Sequence, residues 1–164
     1  PEVVEYLATK GDVSIDVQGY MRYVKGEQVY STEWNDKLRL LKHTAILKVN
    51  EWECQTLTGI TDPFVAAEQI HAWGVREVIV TLGGGGSIIY AEGKFYETPA
   101  YPPSKLVDAT GCGDTYSAGY LYARAKGMSY EESGRFAAAM CTLKLEHTGP
   151  FDRTIDDVHD VLSR

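Results

Sequence analysis

Val107-Asp108-Ala109-Thr110-Gly111-Cys112-Gly113-Asp114-Thr115-Tyr116-Ser117-Ala118-Gly119-Tyr120-Leu121 is the stretch on which the reading of this chain turns. Gly111 and Gly113 flank one small residue, Asp114 follows at once, and Thr115 to Leu121 continue as a helix. Successive backbone N–H groups at a glycine-rich helix entrance form a cradle for an anion. A carboxylate beside that cradle would be repelled by the anion unless it had work to do there. The natural work is taking a proton from a hydroxyl that attacks a phosphoryl group. The same residues also read as a plain glycine turn into a helix, with Asp114 complementing the helix dipole for about 0.3–1 kcal/mol. The segment is not a Walker A loop, since no Gly-Lys-Ser/Thr follows, nor GxGxxG, since Tyr116 stands where the third glycine belongs.

On either side of this segment, strand and helix patterns alternate, the signature of a parallel sheet with helices on its faces. Residues 2–9 read as a helix and Val13–Val17 as a strand. Thr32 is placed to cap a helix carrying Trp34, Leu38 and Leu41 on one face. Ile46–Val49 is a short buried strand. Asp62-Pro63 starts a helix with Ala66, Ala67, Ile70 and Trp73 inward, and Gly74 ends it. Glu77–Leu82 is a β-branched strand, Gly83–Gly86 a turn and Ser87–Ala91 a further strand, joined through Glu92-Gly93 to Lys94–Tyr96. That antiparallel pair makes the sheet mixed. Downstream, Ala118, Leu121, Tyr122 and Ala125 mark a helix stopped by Lys126-Gly127. Ser129 and Glu132 form a capping box for a helix with an inward stripe of Phe136, Ala139, Met140 and Leu143. A last helix begins near Thr154 and buries Val158, Val161 and Leu162.

The chain of 164 residues supports one core, read as a single α/β domain over 1–164. A net charge of −7 argues against a nucleic-acid or anionic-membrane partner. No apolar run approaches a membrane span, and Pro1-Glu2-Val3-Val4-Glu5 is no signal peptide. Three cysteines (54, 112, 141) without CxxC spacing argue against a disulfide framework or structural zinc and for a reducing cytoplasm. Four histidines (43, 71, 147, 159) show no zinc-enzyme pairing. Cys141 and His147 are expected on one helix, in core packing. Pro1 runs straight into a helix with no initiator methionine, which suggests a fragment or a processed chain.

Two further elements carry chemistry. Asn50-Glu51-Trp52-Glu53 lies where a strand meets a helix. Taken alone it reads first as an N-cap with its N3 partner, and second as an Asn/Glu pair that touches magnesium through water, because magnesium keeps several waters. Val80-Thr81-Leu82-Gly83-Gly84-Gly85-Gly86-Ser87 holds more glycine than a hairpin needs. The excess lets a ligand approach the backbone, Thr81 is placed to bond a phosphate, and a flexible turn is the alternative.

In this order, the three elements over residues 46–127 resemble the C-terminal half of the ribokinase-like (PfkB) carbohydrate and nucleoside kinase family. Its N-x-x-E, T-L-G-x-x-G and D-T-x-G-x-G-D motifs stand here as Asn50–Glu53, Thr81-Leu82-Gly83-x-x-Gly86 and Asp108–Asp114, with Ala109 and Cys112 departing from the commonest residues. The resemblance implies a three-layer, Rossmann-like sheet with flanking helices, the C-terminal part of the full fold with its small β-sheet lid absent. It implies Asp114 as catalytic base and the N–H groups of Gly111, Cys112 and Gly113 as the anion hole. Asn50 and Glu53 would organise Mg2+, while Thr81, Gly83 and Gly86 would lie along the phosphates of ATP. Asp108 and Thr110 resemble a monovalent-cation position, for an ion such as K+. The acceptor implied is a hydroxyl of a sugar or nucleoside.

Asp16-Val17-Gln18-Gly19-Tyr20-Met21-Arg22 is similar to a D-x-N-x-R stretch of some sugar kinases, but glutamine replaces asparagine and the arginine is displaced; solvated loop is the default reading. Where some relatives place an asparagine near adenine, this chain has Phe136-Ala137-Ala138-Ala139. Without the family's N-terminal half, an exposed edge strand would favour self-association. The competing reading is a non-catalytic nucleotide-binding or assembly module; a dinucleotide-binding oxidoreductase is disfavoured, since no glycine run matches its fingerprint.

Overall fold

The computed structural model describes residues 1–164 and holds two compact units, Pro1–Thr81 with Tyr90–Phe95, and Leu82–Ile89 with Tyr96–Arg164. A five-stranded sheet runs in the order β1-β4-β5-β6-β7, where β1 is Ser14–Asp16, β4 Ile46–Asn50, β5 Glu77–Thr81, β6 Ser87–Ala91 and β7 Lys94–Thr98. β1, β4 and β5 are parallel, with Asp16 beside Lys48 and Asn50 beside Thr81. The Glu92-Gly93 turn, with φ of 53° and 72°, folds β7 back antiparallel to β6, so the sheet is mixed as expected.

In the first unit, Val49, Val78 and Val80 are fully buried, as in strands covered on both faces. Helices α3 (Glu51–Thr58) and α4 (Pro63–Ala72) pack with β4 and β5. α4 starts where Asp62 accepts from the N–H groups of Phe64 and Val65, and it buries Ala66, Ala67 and Ile70. Gly74 closes it at φ 113°, where a Cβ would stand 2.8 Å from Lys42 Cα. Lys48 is buried mid-strand and salt-bridged to Asp16 at 2.7 Å. Asp16 is therefore tied into the sheet, while Arg22 is exposed. Cys54 is buried, and burial pushes its thiol up to about 12.

Two readings of this unit need correction. Thr32 caps no helix: α2 spans only Lys37–Leu41, starts after Asp36 and buries Leu40 and Leu41, while Leu38 is exposed. Trp34 is buried ahead of the helix, stacked on Tyr20 with centroids 4.4 Å apart. The stretch read as solvated loop, residues 16–22, is also not plain loop, nor are the residues that follow it, to Ser31. After a 3-10 turn over Val17–Tyr20 they form an antiparallel pair, β2 (Arg22–Lys25) and β3 (Gln28–Ser31), as a separate sheet with every residue exposed. With neither face buried, the pair left no apolar alternation to read.

The second unit is built on α5 (Cys112–Ala125), α6 (Tyr130–Leu145) and α7 (Ile155–Leu162). Its core gathers Ala123, Phe136, Ala139, Leu143, Val158 and Val161. The capping box of Ser129 and Glu132 forms as read, and Thr154 with Asp157 makes another on α7. The face of α5 differs from the expected stripe: Ala118, Leu121, Tyr122 and Ala125 are exposed, whereas Thr115, Tyr116, Gly119, Tyr120 and Ala123 are buried. Gly119 decides this phase. A Cβ there would come 2.7 Å from Met140 Sδ and 3.1 Å from Ala137 Cα, so α5 and α6 meet backbone to backbone at that point. Cys141 lies on α6, but His147 falls beyond its end. No helix is long and apolar enough to cross a membrane.

Candidate active site

Asn50 and Thr81 are register partners at the carboxyl ends of adjacent parallel strands, the edge at which open α/β sheets bind ligands. Asn50 accepts from the Glu53 N–H at 2.8 Å, and Glu53 Oε2 accepts from the Asn50 N–H at 2.9 Å. The capping reading is thus realised, and Glu53 is buried. Each of these oxygens keeps a second lone pair, so the pair fits a magnesium ion reached through its water shell rather than one stripped of it. No cluster of three or more acidic, histidine or cysteine side chains offers a direct metal cage.

Thr81 donates to the Val49 carbonyl at 3.4 Å. Beyond it the glycine run is a 3-10 turn over Gly83–Gly85, closed by Leu82 N–H to the Gly86 carbonyl at 2.8 Å and Gly86 N–H to that of Gly83 at 3.1 Å. The N–H groups of Gly83 and Gly84 carry no such bond, and both residues are exposed. Gly86 has a packing reason of its own: at φ 90° a Cβ would overlap the Thr98 carbonyl oxygen and stand 2.9 Å from Ala100 N.

The 107–114 segment is pinned to the end of α6, with the N–H groups of Val107 and Asp108 donating to the Leu145 carbonyl at 2.8 and 3.3 Å. Asp108 then turns back to accept from the Thr110 N–H at 2.9 Å. That bond, foremost among its interactions with Thr110, and the Lys144 charge hold the Asp108 carboxyl below the usual range. Gly111 takes the left-handed conformation at φ 78° and caps α5 without a side-chain bond. The Cys112 N–H donates to the Ala109 carbonyl at 3.2 Å and the Thr115 N–H to that of Gly111 at 2.9 Å. The N–H groups of Gly111, Gly113 and Asp114 are left with no acceptor in the protein. Asp114 is exposed in the first turn of α5. Burial raises the Cys112 thiol, so this cysteine sits in the loop as a small residue and not as an activated thiolate.

Sequence reasoning missed two features of this region. Ser87 Oγ lies 2.5 Å from Thr98 Oγ1 and 2.7 Å from Tyr116 Oη, a buried hydroxyl cluster that fastens the start of α5 to β6 and β7. Burial lifts the Tyr116 phenol to about 12. Lys144 is buried on α6, with Nζ 3.2 Å from the His147 carbonyl and 4.0 Å from Asp108 Oδ2. A charged residue set between Leu143 and Leu145 in the last turn of α6 was the available signal for Lys144; the hydroxyl cluster joins residues too far apart in sequence to leave one.

This geometry has close counterparts. A ribokinase of Arabidopsis thaliana is 39% identical over 116 residues, covering 67% of this chain and 31% of that protein. A solved Arabidopsis thaliana ribokinase, complexed with ribose and ATP, superimposes on 99% of the chain with a TM-score of 0.82 at 30% identity, over 51% of its own length. A cytidine kinase of Thermococcus kodakarensis is 34% identical over 123 residues, 73% of this chain and 44% of that protein. A pyrophosphate-dependent kinase of the ribokinase family, complexed with a pyrophosphate analog and myo-inositol, gives a TM-score of 0.85 at 32% identity, over 97% of this chain and 57% of its own. The chain therefore spans about a third to somewhat more than half of these relatives' lengths. The glycine-to-aspartate entrance of α5, the Asn50–Glu53 cap and the Thr81 loop all fall within residues 24–155, the span matched by the family model for pfkB family carbohydrate kinases, and the chain belongs to that family.

Proposed function

We propose that residues 1–164 are the nucleotide-binding and catalytic-loop half of a kinase that transfers the γ-phosphoryl group of ATP to a hydroxyl of a sugar or nucleoside in the cytoplasm. The observation that carries this reading is the exposed Asp114 carboxylate beside three N–H groups with no acceptor in the protein, those of Gly111, Gly113 and Asp114 itself. Asp114 takes the proton of the acceptor hydroxyl as its oxygen attacks phosphorus, and the open N–H groups with the α5 dipole stabilise charge on the transferring phosphoryl oxygens. Thr81, on turning its hydroxyl away from the Val49 carbonyl 3.4 Å off, and the open N–H groups of Gly83 and Gly84 serve the donor's phosphates. Asn50 and Glu53 would hold magnesium through its waters; when bound, the ion neutralises phosphate charge.

In the complete protein carrying this chain, Asp114→Asn is expected to lower turnover about 10²-fold or more with donor binding retained. Wild-type turnover in that variant would rule the base assignment out. The partial span of the relatives favours a second reading, in which these residues alone bind a donor without turnover. Calorimetry with magnesium and ATP or pyrophosphate, followed by a phosphotransfer assay over a panel of sugars and nucleosides, separates the two. Binding of neither donor would remove both.

A further inference from the structure

The resemblance assigns Asp108 and Thr110 to a bound monovalent cation, and the surroundings of Asp108 do not fit one. Lys144 is 3% exposed, and its ammonium stands 4.0 Å from Asp108 Oδ2 while donating to the His147 carbonyl at 3.2 Å. A carboxylate and a backbone carbonyl are the kinds of oxygen that a potassium ion recruits. Here a covalently attached cation of the same charge already holds them. A second positive charge in that space would be repelled by the first, because the Lys144 ammonium is itself buried and a partly buried pair is screened less than an exposed one.

Lys144 also reaches under the loop itself. A Cβ on Gly111 would come 3.8 Å from Lys144 Cε, so the lysine stem packs beneath the left-handed turn that aims the open N–H groups. Burying an ammonium is costly unless it is paired and hydrogen-bonded, and both of its partners belong to the segments the loop hangs from. We propose that the Lys144 ammonium is a built-in counter-ion to Asp108, standing where a monovalent cation would be recruited, so that the 108–114 loop is set without potassium. Lys144 is a positioning residue in this account. The inference rests on the proposed role of that loop.

The test needs neither donor nor turnover, so its failure and the failure of the kinase reading are separate events. Thermal melting is compared in potassium, sodium and tetramethylammonium chloride at one ionic strength. The wild-type melting temperature is expected to be the same in all three. Lys144→Ala is expected to melt lower in tetramethylammonium and to regain on the order of 2–4 °C or more in potassium, as ligand binding to the vacated position stabilises the fold. A potassium-specific rise in the wild type would overturn the proposal, as would a Lys144→Ala protein that melts alike in potassium and tetramethylammonium. Should Lys144→Ala fold in no salt, thallium(I) as a potassium probe decides on the wild type by 205Tl NMR. A bound, exchange-shifted signal overturns the proposal, and an unperturbed free-ion signal supports it.

Discussion

Gly86 and Gly83 both adopt positive φ, 90° and 56°, yet they are glycines for different reasons. Around Gly86 the Thr98–Ala100 backbone leaves no room for a Cβ, whereas nothing stands within 4 Å of one at Gly83. Gly86→Ala is therefore expected to cost more than the roughly 1–3 kcal/mol of a strained backbone alone, seen as a lower urea midpoint. Gly83→Ala should stay near the bottom of that range and, by crowding the turn's open N–H groups, weaken donor binding instead. Asp108 makes a second prediction at this scale. Its carboxyl is held low in the folded chain by the Thr110 N–H and the Lys144 charge, so its contribution to stability is present above the unfolded value of about 3.9 and is lost as pH falls through the folded one. The acid limb of a stability–pH profile should be shallower in Asp108→Asn; an unchanged limb would show that the carboxylate does not carry it.

Three helices begin with the same reciprocal device: Asn50 with Glu53, Ser129 with Glu132 and Thr154 with Asp157. Ser129→Ala should cost about 1 kcal/mol by denaturant unfolding. The Glu132 carboxyl, held low by the Ser129 hydroxyl and N–H, should then titrate closer to its ordinary value in NMR. The first two of these caps were read in the sequence because both partners sit within one helical turn; of the third only the helix start near Thr154 was read. So were the glycine-to-aspartate entrance, the T-L-G loop and the Glu92-Gly93 turn, each a local backbone requirement. The buried face of α5 was not, since it is chosen by how closely Gly119 lets α6 approach and not by the size of its own apolar residues. The β2–β3 pair escaped because an exposed hairpin needs no pattern. Lys144 and the Ser87–Thr98–Tyr116 cluster escaped because their partners come from distant segments.

Across the whole molecule, 23 acidic against 16 basic residues leave a net charge of −7 and an isoelectric point near 5.1. Light scattering should show self-association strongest near that pH and weakest where mutual repulsion is restored at neutral pH; a profile without a maximum there would assign association to apolar surface alone. The three thiols divide the same molecule into chemical compartments. Cys54 is sealed, with its proton held to about 12, while Cys112 and Cys141 are only partly covered. A maleimide would thus reach Cys141, whose Sγ donates to the Cys112 carbonyl, and more slowly Cys112, whose thiol is pushed up by burial, and would spare Cys54 until the chain unfolds. Without any engineering, the alkylation rate at Cys112 becomes a clock for occupancy of the loop, and that at Cys54 a clock for global opening.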